Sequence, residues 1–557
     1  MGKISNAAKA VVEQNKLQSD KVVTNFMGGD SYTINPLDTL KMISASSIFG
    51  EPSYYRGSKL SKKSHGHLYR TVFSDSLFME YSILPMEMYN EKTEDLMIKA
   101  IDNALDYDFE GTIKWAQELR TDYFMRLNPQ VIMVRAAMHP KRKEFTSTHP
   151  DGAFRDAMKA CMTRADDPIN GMSYFIYANG GKTKMPSIMK RAYADKISSL
   201  SSYELHKYQN AGIGMINAVR ICHANSSVIN ELMTNGKLEV TEDELTWENL
   251  RSAGKSWIEI FHSTNMGHMA LLRNLRGFCS EVEDVSSINE YLNKLRAGVK
   301  KGKQFPFRYY SAYKAVQSDD NVHCKGVILD ALEDCLDISC ENLPKLHGRT
   351  MVLSDNSGSA WGAFQSEYGS VTVAEIDNLS AVITASRSDE GYVGVFGDRL
   401  LVCPISKHNG ILKQAMEISS THGNHVGGST EGGIWKFFRD AMKAKEHWDN
   451  IFIYSDQQAG HGGLYGTDAD KREYKNYLIG SRSIGYINVF KLILDYRKTV
   501  YKDVNVFSIQ TAGYDNSIIP EYAYRTNIMY GWTGKEIQFA DAMIKQWNVI
   551  QSRNIHN

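Results

Sequence analysis

The sequence predicts a multidomain protein: an all-α helical-repeat array followed by an α/β doubly wound, Rossmann-like domain. Two observations carry that expectation. From Gly28 to about Cys340, apolar residues recur at spacings of three and four, as helices with one buried face require, and period-two alternation is nearly absent. Past about Leu346 the texture changes to short apolar runs separated by long connections. Strands alternating with helices build a parallel sheet covered on both faces. A chain of 557 residues exceeds what one hydrophobic core organises. The expected units are an arm over 1–28, the helical array over 29–345 and the α/β domain over 346–557.

The arm is polar and small, with a helical hint around Ala7 to Gln14. In the array, helical spacing marks Leu37–Ile48, Glu94–Leu105, Gly111–Leu119, Pro129–Met138, Ala153–Thr163 and Met185–Ala194. It continues through Gly212–His223, Trp247–Phe261, Met266–Phe278 and Ser287–Leu295. Pro36 and Asn128-Pro129 are helix-start signals. Many helices of similar length imply a stacked array, although no clean sequence period is present. In the second half, Met351–Ser354, Tyr392–Phe396, Ile451–Tyr454 and Val504–Ile509 are the expected strands, with helices over Thr372–Ser386 and Gly432–Lys445.

Composition narrows the function classes. Hydrophobic residues make up 42% and charged residues 23%, and the formal net charge is zero. That excludes bulk electrostatic attraction to nucleic acid but leaves room for a local basic face. The seven cysteines are scattered, with no Cys-x-x-Cys pair, so neither a zinc ribbon nor a thioredoxin-like motif is supported and reduced core thiols are expected. The start, Met1-Gly2-Lys3-Ile4, lacks a signal-peptide apolar core, and no run approaches membrane-spanning length. A cytoplasmic, monomeric protein without a membrane partner is expected.

The α/β half carries the sharpest chemical pattern. Met351-Val352-Leu353 delivers Asp355, Ser357 and Ser359 at alternate positions, all hard oxygen donors. Downstream, a Gly-rich loop offers Ser429 and Thr430, and the run Ile451–Tyr454 leads to Asp456. Ligands of doubly wound sheets sit beyond the carboxyl ends of the strands. Both aspartates belong on that edge, where they could bind a divalent metal ion, Mg²⁺ in the first instance. Asp355, Ser357 and Ser359 are the expected direct or near-direct ligands, Thr430 a direct or water-mediated one, and Asp456 an outer partner. The competing reading is that these oxygens cap turns and helix ends without metal.

In their order these five residues resemble the metal-ion-dependent adhesion site of von Willebrand factor A domains. Gln457 departs from the pattern, which often has Gly there, and Ala459 to about Ser481 is a long insertion. The helical half resembles the TROVE module. The matching stretches are Asn35-Pro36-Leu37-Asp38-Thr39-Leu40, Gly50-Glu51-Pro52-Ser53-Tyr54-Tyr55, Asp108-Phe109-Glu110 and Arg126-Leu127-Asn128-Pro129. Further matches are Thr246-Trp247-Glu248, Met266-Gly267-His268-Met269-Ala270-Leu271-Leu272-Arg273-Asn274-Leu275, and Phe305-Pro306-Phe307 with Tyr313. The two halves together resemble the Ro autoantigen family. The resemblance implies a ring of HEAT-like repeats closed by the A domain, a non-enzymatic scaffold for RNA quality control or maturation. Small noncoding Y-like RNAs would bind its outer face, and single-stranded ends of misfolded RNAs its hole. An exoribonuclease could dock through the A domain.

A local basic excess agrees with this. His139 to Asn225 holds thirteen Lys and Arg against seven Asp and Glu. Lys141, Arg142, Lys143, Lys182, Lys184, Lys190, Arg191, Lys207 and Arg220 are the candidate phosphate ligands, because neutralised phosphates dominate RNA affinity. Tyr174, Phe175, Tyr177, Tyr193 and Tyr208 are interleaved and could stack on unpaired bases. His223 and Arg273 join the RNA set through the resemblance, with Arg273 also readable as a pairing residue between repeats. Met215 and Asn210 stand where relatives often carry basic residues, pointing to a differently shaped RNA or weaker Y RNA affinity. Two other classes stay open: an A-domain protein-interaction module without RNA, and a metal-dependent nuclease using His422, His425 or His461. No P-loop, His-Glu-x-x-His helix or Gly-x-Ser-x-Gly elbow is present.

Overall fold

In the computed structural model the described residues are 22–24, 30–32, 35–46, 93–238, 245–362, 372–427, 430–457, 472–481, 484–511, 518–519, 525–530 and 534–555. The expected features at Gly50–Tyr55, Ser429, His461 and most of the 459–481 insertion lie outside them. A hairpin of β1 (Val22–Thr24) and β2 (Asp30–Tyr32) straddles the expected boundary between arm and array. From Pro36 to Cys340 every regular element among the described residues is a helix.

Local chemistry starts many of these helices. Asp108 caps Phe109–Thr121 by accepting the Gly111 N–H at 2.9 Å. Ser201 with Glu204, Thr246 with Asn249 and Ser256 with Glu259 form reciprocal capping boxes. The single helix expected over Trp247–Phe261 is two, Trp247–Ser252 and Trp257–Ser263. Gly254 breaks it at φ +82°, a left-handed conformation that ends helices. Likewise the helix expected from Gly212 starts only at Met215, because Gly212 and Gly214 both have positive φ.

Neighbouring helices bury aromatic and aliphatic faces against one another. Phe278 and Tyr291 stack at 4.1 Å, and the Tyr291 hydroxyl donates to the Leu271 carbonyl. Polar locks cross between repeats as well. Asn128 donates to the Ser44 carbonyl at 2.8 Å, and His268 meets the Tyr309 hydroxyl at 2.7 Å. His268 lies against Gly298 and Gly302, where a Cβ would fall 2.8 and 2.5 Å from its ring. Asn128 and His268, two of the residues behind the TROVE resemblance, are therefore contacts between helices.

The α/β half is one six-stranded sheet in the order β10-β9-β6-β3-β4-β5. Its members are β3 (Leu346–Asp355), β4 (Ser388–Phe396), β5 (Leu400–Pro404), β6 (Asn450–Ser455), β9 (Asn505–Gln510) and β10 (Thr526–Tyr530). A small antiparallel pair, β7 (Leu478–Ser481) and β8 (Ile484–Ile487), stands apart. All neighbours in the large sheet are parallel except β4 and β5. The four expected strands are present. β5 and β10, both edge strands, lie outside the expected set; β10 mixes polar and apolar residues, whereas β5 is a short apolar run, Leu400 to Cys403, ended by Pro404. From β3 the chain builds β4 and β5 on one side and then returns to build β6, β9 and β10 on the other, so the order reverses at β3.

The two halves meet at both ends of the array. At its last helices, Lys314 pairs with Glu375 at 2.9 Å. Asp337 and Glu333 accept the backbone N–H groups of Ile411 and Lys413, capping the helix Ile411–Thr421. At its first helices, Pro36–Ser46 packs on β10, and Gln538 donates to the Asp122 carbonyl at 2.6 Å. The α/β domain thus bridges the start and the end of the helical array.

Arg120 and Asp167 form a buried ion pair at 2.8 Å between Phe109–Thr121 and Asp167–Ala178. Burial raises the Asp167 pKa and lowers that of Arg120, so each charge depends on the other. Net stabilisation by such a pair is small, but stranding one member is costly. Asp167→Ala should lower the unfolding free energy by about 3–5 kcal/mol. Urea denaturation reads this, and a loss below about 1 kcal/mol, as for an exposed pair, would dismiss the lock.

Candidate metal edge and basic face

The carboxyl end of β3 is held from three sides. The Asn356 N–H donates to the Phe396 carbonyl at the end of β4. The Asn356 side-chain amide exchanges hydrogen bonds with Asn378, which also accepts from the Ser354 hydroxyl at 2.7 Å. Asp355 is fully buried and doubly engaged. One oxygen accepts the Ser357 N–H at 2.8 Å, and the other accepts the Ser455 hydroxyl at 2.5 Å. Ser357 and Ser359 bring their hydroxyls within 3.2 Å of each other. The first three expected ligands therefore share one turn.

Asp456 follows β6 directly and is fully buried beside them. Thr430 precedes the helix Glu431–Ala444, and its hydroxyl is not used as a cap. The loop ahead of it lies against the end of β4, where Arg399 N–H donates to the Val426 carbonyl and Gly397 leaves no room for a Cβ beside Gly427. Because Phe396 is in register with Asp355, this places Thr430 on the same sheet edge. Gln457 has φ +56°, so the departure from Gly occupies a backbone conformation that Gly prefers. Its carbonyl oxygen accepts the Ile518 N–H at 3.2 Å, an anchor that Gly lacks.

Desolvation raises the Asp355 pKa, and the Asp456 charge raises it further, opposed by hydrogen bonds from Ser455 and Ser357. Asp377 stands well above the usual carboxylate range for the same two reasons, burial and the neighbouring Asp355. Sequence reasoning passed over Asp377. The available signal was the Asp377-Asn378 pair set between the apolar residues Val373, Ala374, Ile376, Leu379, Val382 and Ile383 of one helix. Among the described residues no three His, Cys, Asp or Glu side chains are grouped as metal ligands. The donor set is hence two carboxylates with hydroxyls, chemistry that fits a hard, partly hydrated cation such as Mg²⁺.

On the helical half, Lys143, Lys182, Lys184, Arg191, Lys207, Arg220, His223 and Arg273 are exposed, whereas Lys141, Arg142 and Lys190 are half-buried. Lys141 donates to the Asp106 carbonyl. Lys190 and Arg191 ride on Ser187–Ser198, which packs against Met215–Cys222 bearing Arg220. Lys207 ends the intervening helix, with its ammonium 5.4 Å from the Tyr203 ring centre. Lys182 and Lys184 belong to the loop leading into Ser187–Ser198. Arg273 stands elsewhere, on a helix packed against Trp257–Ser263, Val285–Gly302 and Pro306–Gln317. It is exposed and forms no ion pair among the described residues, so it does not join two repeats through a salt bridge.

The stacking expectation needs correction. Tyr174, Phe175 and Tyr193 are buried core rings, because their positions face neighbouring helices. Tyr208 is half-buried and accepts from Arg164 at 2.9 Å. Tyr177 alone of the five is broadly open, at 74% exposure.

Together these features define a class: a helical array bridged end to end by a doubly wound domain whose carboxyl edge is lined with oxygen donors. The chain has the fold of the Ro (RSR) protein of Deinococcus radiodurans, whose crystal structure it matches with a TM-score of 0.54 at 12% identity. That match covers 79% of this chain and 93% of the other. No family model and no curated protein matches the sequence.

The raised Asp355 pKa sets a sign. As pH climbs above the ordinary carboxylate range, the unfolded chain releases a proton that the folded chain retains, so stability falls. In the metal-free protein, Asp355→Asn should flatten this decline and leave the variant more stable than wild type at pH 8. Thermal melts from pH 4 to 8 in chelator test it; an equal decline in both proteins would contradict the assignment.

Proposed function

We propose that this protein is a noncoding-RNA-binding scaffold that works in RNA quality control or maturation, without catalysing a reaction itself. The observation that carries the reading is the cluster of Lys190, Arg191, Lys207 and Arg220. These cations come from three consecutive helices, of which the first and third pack on each other, and no carboxylate pairs with them among the described residues. Neighbouring cations such as Arg155 are neutralised by aspartates. An unneutralised cationic face on a chain of zero net charge suits phosphodiester binding. The Ro-like fold and the TROVE-like motifs support the same reading. Small Y-like RNAs on this face, and single-stranded ends of misfolded RNAs in the hole, are the proposed ligands. Tyr177, beside the Lys182–Lys184 loop, is the proposed stacking ring.

The metal edge is proposed to hold Mg²⁺ through Asp355, Ser357, Ser359 and Thr430, with Asp456 as its outer partner. When bound, the cation supplies a Lewis-acidic contact for a partner's carboxylate or phosphate, an exoribonuclease being the candidate partner. The chain's own residues position that contact: Asn378 holds the loop to the helix behind it, and Ser455 orients the Asp355 carboxylate.

Changing Lys190, Arg191, Lys207 and Arg220 together to Glu should abolish small-RNA binding while the circular dichroism spectrum stays unchanged. A filter assay at low salt decides it, and wild-type affinity in the variant would reject the basic face. Separately, Asp355→Ala should remove Mg²⁺ binding measured by calorimetry and leave RNA affinity within about twofold, since distant sites contribute independently. Loss of an RNA-degrading activity in that variant would instead favour the nuclease reading.

A further inference from the structure

The helix Val373–Ser386 lies over the sheet and carries a polar stripe on its buried side. Asp377, Ser380 and Thr384 follow one another at spacings of three and four, so they share one side of the helix. All three are buried. Thr384 meets the Tyr454 hydroxyl of β6 at 2.8 Å, so this side faces the sheet. Asn378, next to Asp377, is taken up by Ser354 and Asn356 at the end of β3.

Strand alternation tells which groups Asp377 meets. Successive strand residues point to opposite faces, and parallel partners in register point alike. Ser354, Tyr454 and Ile509 are in register, and the first two reach this helix through their side chains. Two positions further on, Asn356, Asp456 and Thr511 return to the same face at the carboxyl edge. The Asn356 bond to Asn378 agrees with this, and the Thr511 N–H extends the ladder by donating to the Ser455 carbonyl at 3.1 Å. Asp377 is fully buried, and neither of its oxygens has a hydrogen bond of ordinary geometry. The Thr511 hydroxyl is also buried without one, although it is near enough to ease the Asp377 charge. The charges that act on Asp377 are carboxylates, Asp355 and Asp456, and no Lys, Arg or His pairs with it among the described residues. Buried carboxylates are ordinarily held by hydrogen bonds, by a paired cation or by a metal ion.

We propose that Asp377, Asp456 and the Thr511 hydroxyl form an inner cation site, behind the candidate Mg²⁺ edge and distinct from it. The donors are hard oxygens, so the ligand is a divalent cation of the Mg²⁺ or Mn²⁺ kind. Asp456 is shared, as outer partner of the edge and ligand of the inner ion. Three buried carboxylates also outweigh a single divalent charge, and a second cation offsets the remainder. Burial suits a resident ion, because structural metal sites are closed by their own ligands. The inner site depends neither on RNA binding nor on a loaded edge.

The test counts ions on the full chain, stripped with chelator and then dialysed to equilibrium against Mn²⁺, with Mg²⁺ as competitor. Wild type should bind two Mn²⁺ ions and Asp377→Asn one. Thr511→Val, which removes only a hydroxyl, should weaken one of the two by about tenfold or more and gives the same reading if Asp377→Asn folds poorly. Asp355→Ala separates the sites, because it should lose the outer ion and keep the inner one. A single ion in wild type that Asp377→Asn loses and Asp355→Ala keeps supports the inner site and removes the edge. A single ion bound alike by wild type and Asp377→Asn refutes the inner site and assigns a proton to Asp377. Loss of that ion in Asp355→Ala would then leave the metal edge standing. Wild type that binds no Mn²⁺ refutes both.

Discussion

A stack of helices has two ends, and each end exposes an apolar face with no further repeat to cover it. Here one domain covers both. The last helices lie against Val373–Ser386 and Ile411–Thr421, and the first against β10 and the start of Glu536–Ile555. Much of the remaining architecture depends on this double capping. It places the sheet where β3 can receive the chain from the array, and it brings Asp122 and Phe124 next to residues more than four hundred positions later. Among the described residues the bonds at the joints are modest individually, such as the Lys314–Glu375 ion pair and the backbone caps supplied by Asp337 and Glu333. Their effect comes from being tied to large apolar surfaces that would otherwise meet water.

The same sheet creates the candidate metal edge. Parallel strands end together, and the reversal of order at β3 leaves a crevice bounded by β4 and β6. Into it the fold places two aspartates without solvent, a costly arrangement for like charges. Hydrogen bonds from Ser455 and Ser357 offset part of the cost on Asp355, and a bound cation would offset far more. The basic face reverses the logic. Most of its lysines and arginines stay in water, where they are cheap to keep charged. The candidate metal edge is thus buried and acidic, and the candidate RNA face largely exposed and basic.

Much of the fold was legible in the sequence because burial leaves a period. Three-and-four spacing announced the helices, and continuous apolar runs announced β3, β4, β6 and β9. β10 was not legible, since Thr526–Tyr530 at the sheet's edge mixes polar and apolar residues, whereas the apolar run of β5 was present to be read. Gly254 split one expected helix into two, which apolar spacing across the break could not reveal. Of the candidate site, the alternation of Asp355, Ser357 and Ser359 was plain, and the strand leading to Asp456 could be recognised. Asp377 escaped because acids in a helix, such as its neighbour Glu375, usually mark the solvated face.

The sequence by itself determined which residues are apolar, where the chain must turn, and that a cluster of cations lies between His139 and Asn225. It also set the order of oxygen donors along the second half. Only the tertiary structure decided which aromatic rings were open. Tyr174, Phe175 and Tyr193 are spent on the core and Tyr177 is not, because helix packing rather than residue type chooses the buried face. Tertiary structure alone also put Phe124, Lys303 and Lys535 together. No local pattern encodes that meeting, which arises when an array of helices is closed through a second domain.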